Sequence, residues 1–109
     1  MANTYKVLGQ SNPSAATSTT AYTCPSATQT VVSLINVCNR SNVPTSFRVS
    51  VDVNAGGDSN EDYLAYDVPI GANEVIELGK GVTLDAADLI RVYATLATLT
   101  FSVFGEEIS

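Results

Sequence analysis

The sequence predicts an all-β fold, an antiparallel β-sandwich of jelly-roll or immunoglobulin-like type. Three observations predict it. Ser46-Phe47-Arg48-Val49-Ser50-Val51-Asp52-Val53 alternates without a break, placing Phe47, Val49, Val51 and Val53 on one face and Ser46, Arg48, Ser50 and Asp52 on the other. That period of two belongs to a strand with one dry and one wet face. The same rhythm recurs along the chain, and turn residues interrupt it at the spacing of about eight to twelve residues seen in sandwiches and barrels. Finally, Thr, Val, Ser and Ala abound while long helix-forming stretches are absent, a composition that favours strands.

Taken in order, Tyr5-Lys6-Val7-Leu8-Gly9-Gln10 reads as a first short strand. Residues 11–18 are rich in Ser, Ala, Thr and Asn and contain Pro13, so they form a surface connection. Residues 19–24 make a second strand, ended by Pro25, which has no amide to donate. Residues 30–39 are the longest and most apolar strand. Val31, Ser33, Ile35 and Val37 are assigned to one face, and Val32, Leu34, Asn36 and Cys38 to the other. Both faces are largely apolar, which marks a central strand covered on both sides or a face used for assembly.

Asn39-Arg40-Ser41-Asn42-Val43-Pro44 breaks the chain before the alternating strand. Residues 54–62 then form an acidic, glycine- and Asx-rich loop. Tyr63 to Ile70 is a strand whose end is marked as an edge or kink by Pro69. Gly71-Ala72-Asn73 turns the chain into a short strand at 75–78, and Gly79-Lys80-Gly81 turns it again into Val82-Thr83-Leu84. Asp85-Ala86-Ala87-Asp88 is a compact turn. Strands follow at 89–94 and from Leu99 through Val103, and Gly105-Glu106-Glu107-Ile108-Ser109 closes the chain. The total is about eight short strands in one domain, residues 1–109, a length within the usual range of roughly 100–200 residues per domain.

The net charge of −6 includes only five cations, Lys6, Arg40, Arg48, Lys80 and Arg91, with no stripe or cluster in sequence. Nucleic-acid binding needs a concentrated basic footprint, so it is not expected. The N-terminus lacks the apolar core of a signal peptide, and no apolar run approaches the roughly 18 residues of a membrane span. Synthesis in the cytosol and no membrane partner are therefore expected. Asn39-Arg40-Ser41 spells a glycosylation sequon, read as chance in that setting. Two cysteines match no zinc pattern. Cys38 reads as a small buried hydrophobe, with a Cys24–Cys38 bridge the alternative if their strands are neighbours.

No catalytic set appears. The chain has no histidine, which removes the usual general base near neutral pH and the commonest metal ligand. Cys24 precedes a proline with no cation nearby to activate it. Glu61, Asp62 and Asp67, or Glu106 and Glu107, are candidate carboxylate pairs for glycoside chemistry. All of them read as solvated acids in turns or at the tail, and no tryptophan exists to line a sugar cleft. Asp58, Asn60 and Asp62 offer a loose calcium site against the reading of a plain Asx-rich turn. The EF-hand spacing fails because Tyr63 stands where its bidentate acid belongs. Tyr5, Tyr22, Tyr63, Tyr66 and Tyr93 lie on different strands without basic neighbours, which reads as packing at the rim of the core rather than a stacking platform. The expectation is no catalytic residue, no cofactor and no metal, hence a non-enzyme.

Several segments together carry a family resemblance: Met1-Ala2-Asn3-Thr4-Tyr5-Lys6-Val7-Leu8-Gly9-Gln10, Thr20-Ala21-Tyr22-Thr23-Cys24-Pro25, Tyr63-Leu64-Ala65-Tyr66-Asp67, the stretch from Gly81 through Ala94, and Phe104-Gly105-Glu106-Glu107-Ile108. The chain resembles small virion structural proteins of tailed bacteriophages, notably those of cyanophages and other marine phages. The resemblance implies a β-sandwich subunit on the virus particle with no active site. The leading expectation is a capsid decoration (cement) protein that binds other virion proteins, such as the major capsid protein, and self-associates. A trimer is the form that closed symmetry at shell axes suggests. The alternatives are a tail, neck, baseplate or fibre module bound to tail proteins, and a glycan- or host-binding sandwich.

Overall fold

The computed structural model describes residues 3–57, 59–79 and 81–109. Among these the chain forms nine strands: β1 (Asn3–Ser11), β2 (Thr19–Thr23), β3 (Gln29–Asn39), β4 (Thr45–Asp52), β5 (Tyr63–Ile70), β6 (Val75–Leu78), β7 (Val82–Leu84), β8 (Leu89–Ala94) and β9 (Leu99–Ile108). Single 3₁₀ turns at Val53–Ala55 and Asn60–Asp62 flank the acidic loop. No helix here is long and apolar enough to cross a membrane.

Every strand pairing is antiparallel. One sheet runs β1-β9-β3-β6, with β7 also on β3, and the other runs β2-β8-β4-β5. β6 and β7 lie end to end along β3, opposite residues 35–38 and 30–32, so they act as one strand interrupted between Leu78 and Val82. With those two merged, the eight strands follow the double Greek-key order of a jelly-roll, which decides between the two expected sandwich types. Lys80, in the expected turn of that interruption, lies outside the described residues, as do Met1 and Ala2.

The inner faces make one core of Val32, Ile35, Val37, Phe47, Val49, Ile90, Val92, Leu99, Phe101 and Val103, all essentially sealed from solvent. Phe47 of one sheet meets Phe101 of the other edge to face, with ring centroids 6.0 Å apart, a favoured aromatic geometry. The register of β4 on β8 is unbroken through Asp52, but Ser50 and Asp52, expected on the wet face, are buried and Val51 is only half-buried. The strand ends at Asp52, so Val53 enters a 3₁₀ turn and is 59% exposed rather than inward.

β3 departs from its expected phase. Val32, not Val31, shares the core face with Ile35 and Val37. The cause is an extra residue, Ser33: Val32 pairs with Gly105 and Leu34 with Phe104. One inserted residue moves every side chain beyond it to the other face. β1 bulges at nearly the same height, where Val7 pairs with Phe104 and Gly9 with Val103. β9 is thus flanked by bulges on both sides. Its Gly105 is required there, because a Cβ would stand 2.1 Å from the Val31 carbonyl oxygen.

Cys24 and Cys38 are not bridged. Cys24 Sγ lies 3.2 Å from Thr30 Oγ1 near the start of β3, and Cys38 lies eight residues further along that strand. At about 3.3 Å per residue the two are ~26 Å apart, far beyond disulfide reach. Asn39 of the sequon is 1% exposed. Its amide donates to the Val43 and Gly71 carbonyls, and its oxygen accepts from Ser41 N–H, so it organises two turns and offers no acceptor for a glycan.

Candidate functional site

Two outer surfaces stand out, one per sheet. The first is apolar. Outward alternation on β1, β9 and β3 builds two cross-strand rows, Tyr5–Glu106–Val31 and Val7–Phe104–Leu34. Tyr5 is 79% exposed and Val7 49%, while Val31, Leu34 and Phe104 are half-buried among them. A groove of about 340 Å³ runs between Tyr5, Val31, Phe104 and Glu106. The bulges make this patch. Ser33 swings Val31 and Leu34 to the same outer side, and its hydroxyl donates to the Phe104 carbonyl at 3.2 Å. Further along the same face the rows turn polar, with Gln10, Ser102, Asn36 and Glu77 in register. An apolar centre beside a polar margin is how protein interfaces are built.

The second surface is an arginine set among tyrosines on β4, β5 and β8. The Arg48 guanidinium lies 4.2 Å from the Tyr66 ring centroid and 4.4 Å from that of Tyr93. Its Nε donates to Asp67 Oδ1 at 2.7 Å, and this hydrogen bond raises the guanidinium above its ordinary pKa. A bulge produces the arrangement. Phe47 pairs with Val68 and Val49 with Ala65, so Tyr66 and Asp67 together oppose Arg48, with Asp67 in the left-handed region at φ +50°. Both side chains therefore reach the same arginine. Tyr63 packs edge-on against Tyr66 at 4.9 Å. Arg91 sits beside Ser50 and holds Asp52 at 2.9 Å. The tyrosines were expected to be scattered without basic neighbours. The structure instead gathers Tyr63, Tyr66 and Tyr93 around Arg48, because β5 and β8 flank β4.

Between the sheets, near one end, lies a polar relay. The Tyr22 hydroxyl donates to Glu107 Oε2 at 2.6 Å, so the Thr30 hydroxyl, 2.9 Å away, donates to Tyr22. Lys6 Nζ pairs with Glu107 Oε1 at 3.0 Å. Burial, then the bond to Glu107, drives the Tyr22 phenol far above its usual pKa. The Tyr22 bond, then Lys6, holds the Glu107 carboxyl below the usual carboxylate range. Glu107 was expected as a solvated tail acid. It is instead a partly covered member of β9, because that strand runs to Ile108 and its inward phase passes through position 107.

The remaining candidates do not converge. Glu106 and Glu107 are successive strand residues and point to opposite faces. Asp67 is committed to Arg48, and Asp62 accepts from Ser59 N–H at 2.9 Å, closing a local cap. Of the proposed calcium ligands, Asp58 lies outside the described residues, and Asn60 and Asp62 form the 3₁₀ turn. Among the described residues no three His, Cys, Asp or Glu side chains gather as a metal-holding group. Asp52 and Asp88 are buried acids with structural roles: Asp52 accepts from Gly57 N–H and Arg91, and Asp88 from Asn54 and Asp85 N–H.

No protein-family model matches this chain, and no curated protein matches it.

Proposed function

We propose that this chain is a non-enzymatic structural protein of a tailed-bacteriophage particle, a capsid decoration (cement) protein that binds other virion proteins and further copies of itself through the outer face of the five-stranded sheet. The particle comes from the sequence resemblance. The mode of action comes from one observation, the apolar rows around Phe104 presented by a small, tightly packed jelly-roll. Each apolar side chain of that face gains free energy when covered, at about 25 cal/mol per Å² removed from water.

Copy number in purified virions, read by quantitative gel densitometry, tests this reading. On the order of hundreds of copies per particle fits a shell protein under closed symmetry. A handful moves the chain to the tail, neck or baseplate, and absence from particles refutes the reading. Phe104→Asp is expected to abolish co-sedimentation with particles while circular dichroism shows the chain still folded.

The Arg48 cluster favours a second reading, a glycan- or host-binding sandwich. Exposed tyrosine beside fixed charged hydrogen-bonding groups suits a sugar ring. Glycan-array binding that disappears in Tyr66→Ala supports it.

A further inference from the structure

Sheet edges carry unpaired backbone N–H and C=O groups, and proteins blunt them with prolines, bulges, short strands or covering segments. Three of the four edges of this sandwich are blunted. β5 carries two register shifts and Pro69. β6 and β7 are short and interrupted. β2 has five residues, a bulge at Ala21 and Gly9 of β1 against its Ala21 carbonyl. β1 differs. It is the terminal strand of its sheet, and its own bulge and its approach to β2 begin only at Leu8 and Gly9. Residues 3–7 are regularly paired to β9 on one side and exposed throughout. Lys6, a residue that would ordinarily discourage edge pairing, is neutralised by Glu107.

We propose that two copies of this chain pair through residues 3–7 of β1, antiparallel about a two-fold axis at Tyr5, joining two five-stranded sheets into one. The proposal rests on the self-association read above and goes further by naming the contact. The register follows from the exposed segment, which is centred on residue 5: Tyr5 opposes Tyr5, Thr4 opposes Lys6, and Asn3 opposes Val7. No like charges face one another, and the two tyrosine rings meet on the outer face as a cross-strand aromatic pair. The apolar rows of both copies become one continuous patch. A head-to-tail ring built by strand pairing would have to use one of the blunted edges, so edge pairing gives a two-fold pair rather than the trimer suggested by shell symmetry. Each copy carries a net charge of −6, so added salt tightens the pair by screening their repulsion.

Sedimentation equilibrium of the full chain up to ~1 mM tests this, with Tyr5→Lys, Tyr5→Glu and their equimolar mixture alongside. Tyr5 is 79% exposed, so both variants are expected to keep the wild-type melting temperature at concentrations dilute enough for all to be monomeric. The wild type is expected to dimerise and to protect amides 3–7 from hydrogen exchange as concentration rises. Each variant alone is expected to dimerise at least about tenfold more weakly, because like charges then face across the axis. The mixture is expected to recover the pair, since opposite charges meet only if residue 5 faces residue 5. A wild type that stays monomeric, variants that dimerise as well as it does, or a mixture that fails to recover would each overturn the pairing. Co-sedimentation with particles separates this from the structural role. A monomer that co-sediments overturns the edge pairing and leaves the role, and a dimer that never reaches particles does the reverse.

Discussion

Alanine at position 105 tests the double bulge that shapes the outer face. A Cβ on Gly105 would lie 2.1 Å from the Val31 carbonyl oxygen, 3.0 Å from Val32 Cα and 3.1 Å from Leu8 Cδ1. The first two are backbone atoms of β3, so no rotamer change relieves them. β9 and β3 must separate beside the bulge at Ser33. Overpacking of a well-filled interior costs about 1–3 kcal/mol, and a clash with backbone belongs at or above the top of that range. At roughly 4–8 °C per kcal/mol for a domain near this size, Gly105→Ala is expected to lower the melting temperature by about 12–24 °C. Gly79 is the internal control. A Cβ there meets nothing within 4 Å, so Gly79→Ala is expected to be neutral or to stabilise by up to about 1 kcal/mol through the unfolded chain. Thermal unfolding followed by circular dichroism reads both. A fall of less than about 4 °C for Gly105→Ala would refute the close approach of β9 to β3 and, with it, the account of how Phe104 is presented.

Glu107 predicts the acid behaviour. Its carboxyl is held below its unfolded value of about 4.3, so the stability it contributes is full above that pH and is lost as pH falls through the lower folded value. Glu107→Gln is expected to lower stability at pH 7 by about 1–2 kcal/mol and to flatten the melting temperature between pH 5 and 3, roughly the window of that titration; an unchanged acid slope argues against the relay. Arg48→Ala is expected to cost about 1 kcal/mol, lost from exposed cation–π contacts and a surface ion pair. Arg48→Lys should recover little of it, since an ammonium cannot stack flat between two rings, and chemical denaturation measures both. Thiol titration of the native protein is expected to modify Cys38 quickly and Cys24, 1% exposed, only on unfolding. Two rapidly reacting thiols would contradict the packing around Thr30.

How much of this was legible follows from what a period of two can carry. Phe47, Val49 and Val51 announce their strand because its alternation is unbroken, and the Asx and glycine turns announce where strands stop. The sandwich is readable from those alone. The surfaces that matter come from places where alternation fails. Ser33 looks like an ordinary outward serine in Val32-Ser33-Leu34, yet as an inserted residue it reverses the phase of Val31 and Val32. Nothing local distinguishes the two cases, because the insertion exists only relative to Phe104 and Gly105, some seventy residues away in sequence by the register of the pair. The Arg48 cluster was hidden for the same reason. It needs β8 on one side of β4, a non-local pairing, and an insertion in β5 that turns Tyr66 and Asp67 toward one partner. Gly105 was the available clue, since a glycine inside an apolar strand signals a bulge or a close backbone approach.

The two outer faces differ in what covering them would require. Arg48 is already satisfied by Asp67 and by two rings, and Arg91 by Asp52, so burying that surface desolvates charges whose partners are in place and gains little. Tyr5, Val7, Val31, Leu34 and Phe104 have no such internal compensation, and covering them releases water without stranding a charge when the partner offers a cation to Glu106, which stands between Tyr5 and Val31. A contact formed first by the five-stranded sheet is therefore favoured over one formed by the four-stranded sheet. The faces lie on opposite sides of the sandwich, so a chain docked by the first turns the second away from whatever it docks on. Under the proposed role this orientation leaves Tyr63, Tyr66 and Tyr93 facing the medium around the particle, where a sugar ring could reach them. Particle binding and glycan binding then become separable activities of one chain, the first abolished by Phe104→Asp with glycan binding intact, and the second by Tyr66→Ala with particle binding intact. Loss of both activities in either variant, with the chain still folded by circular dichroism, would mean the two faces do not act independently.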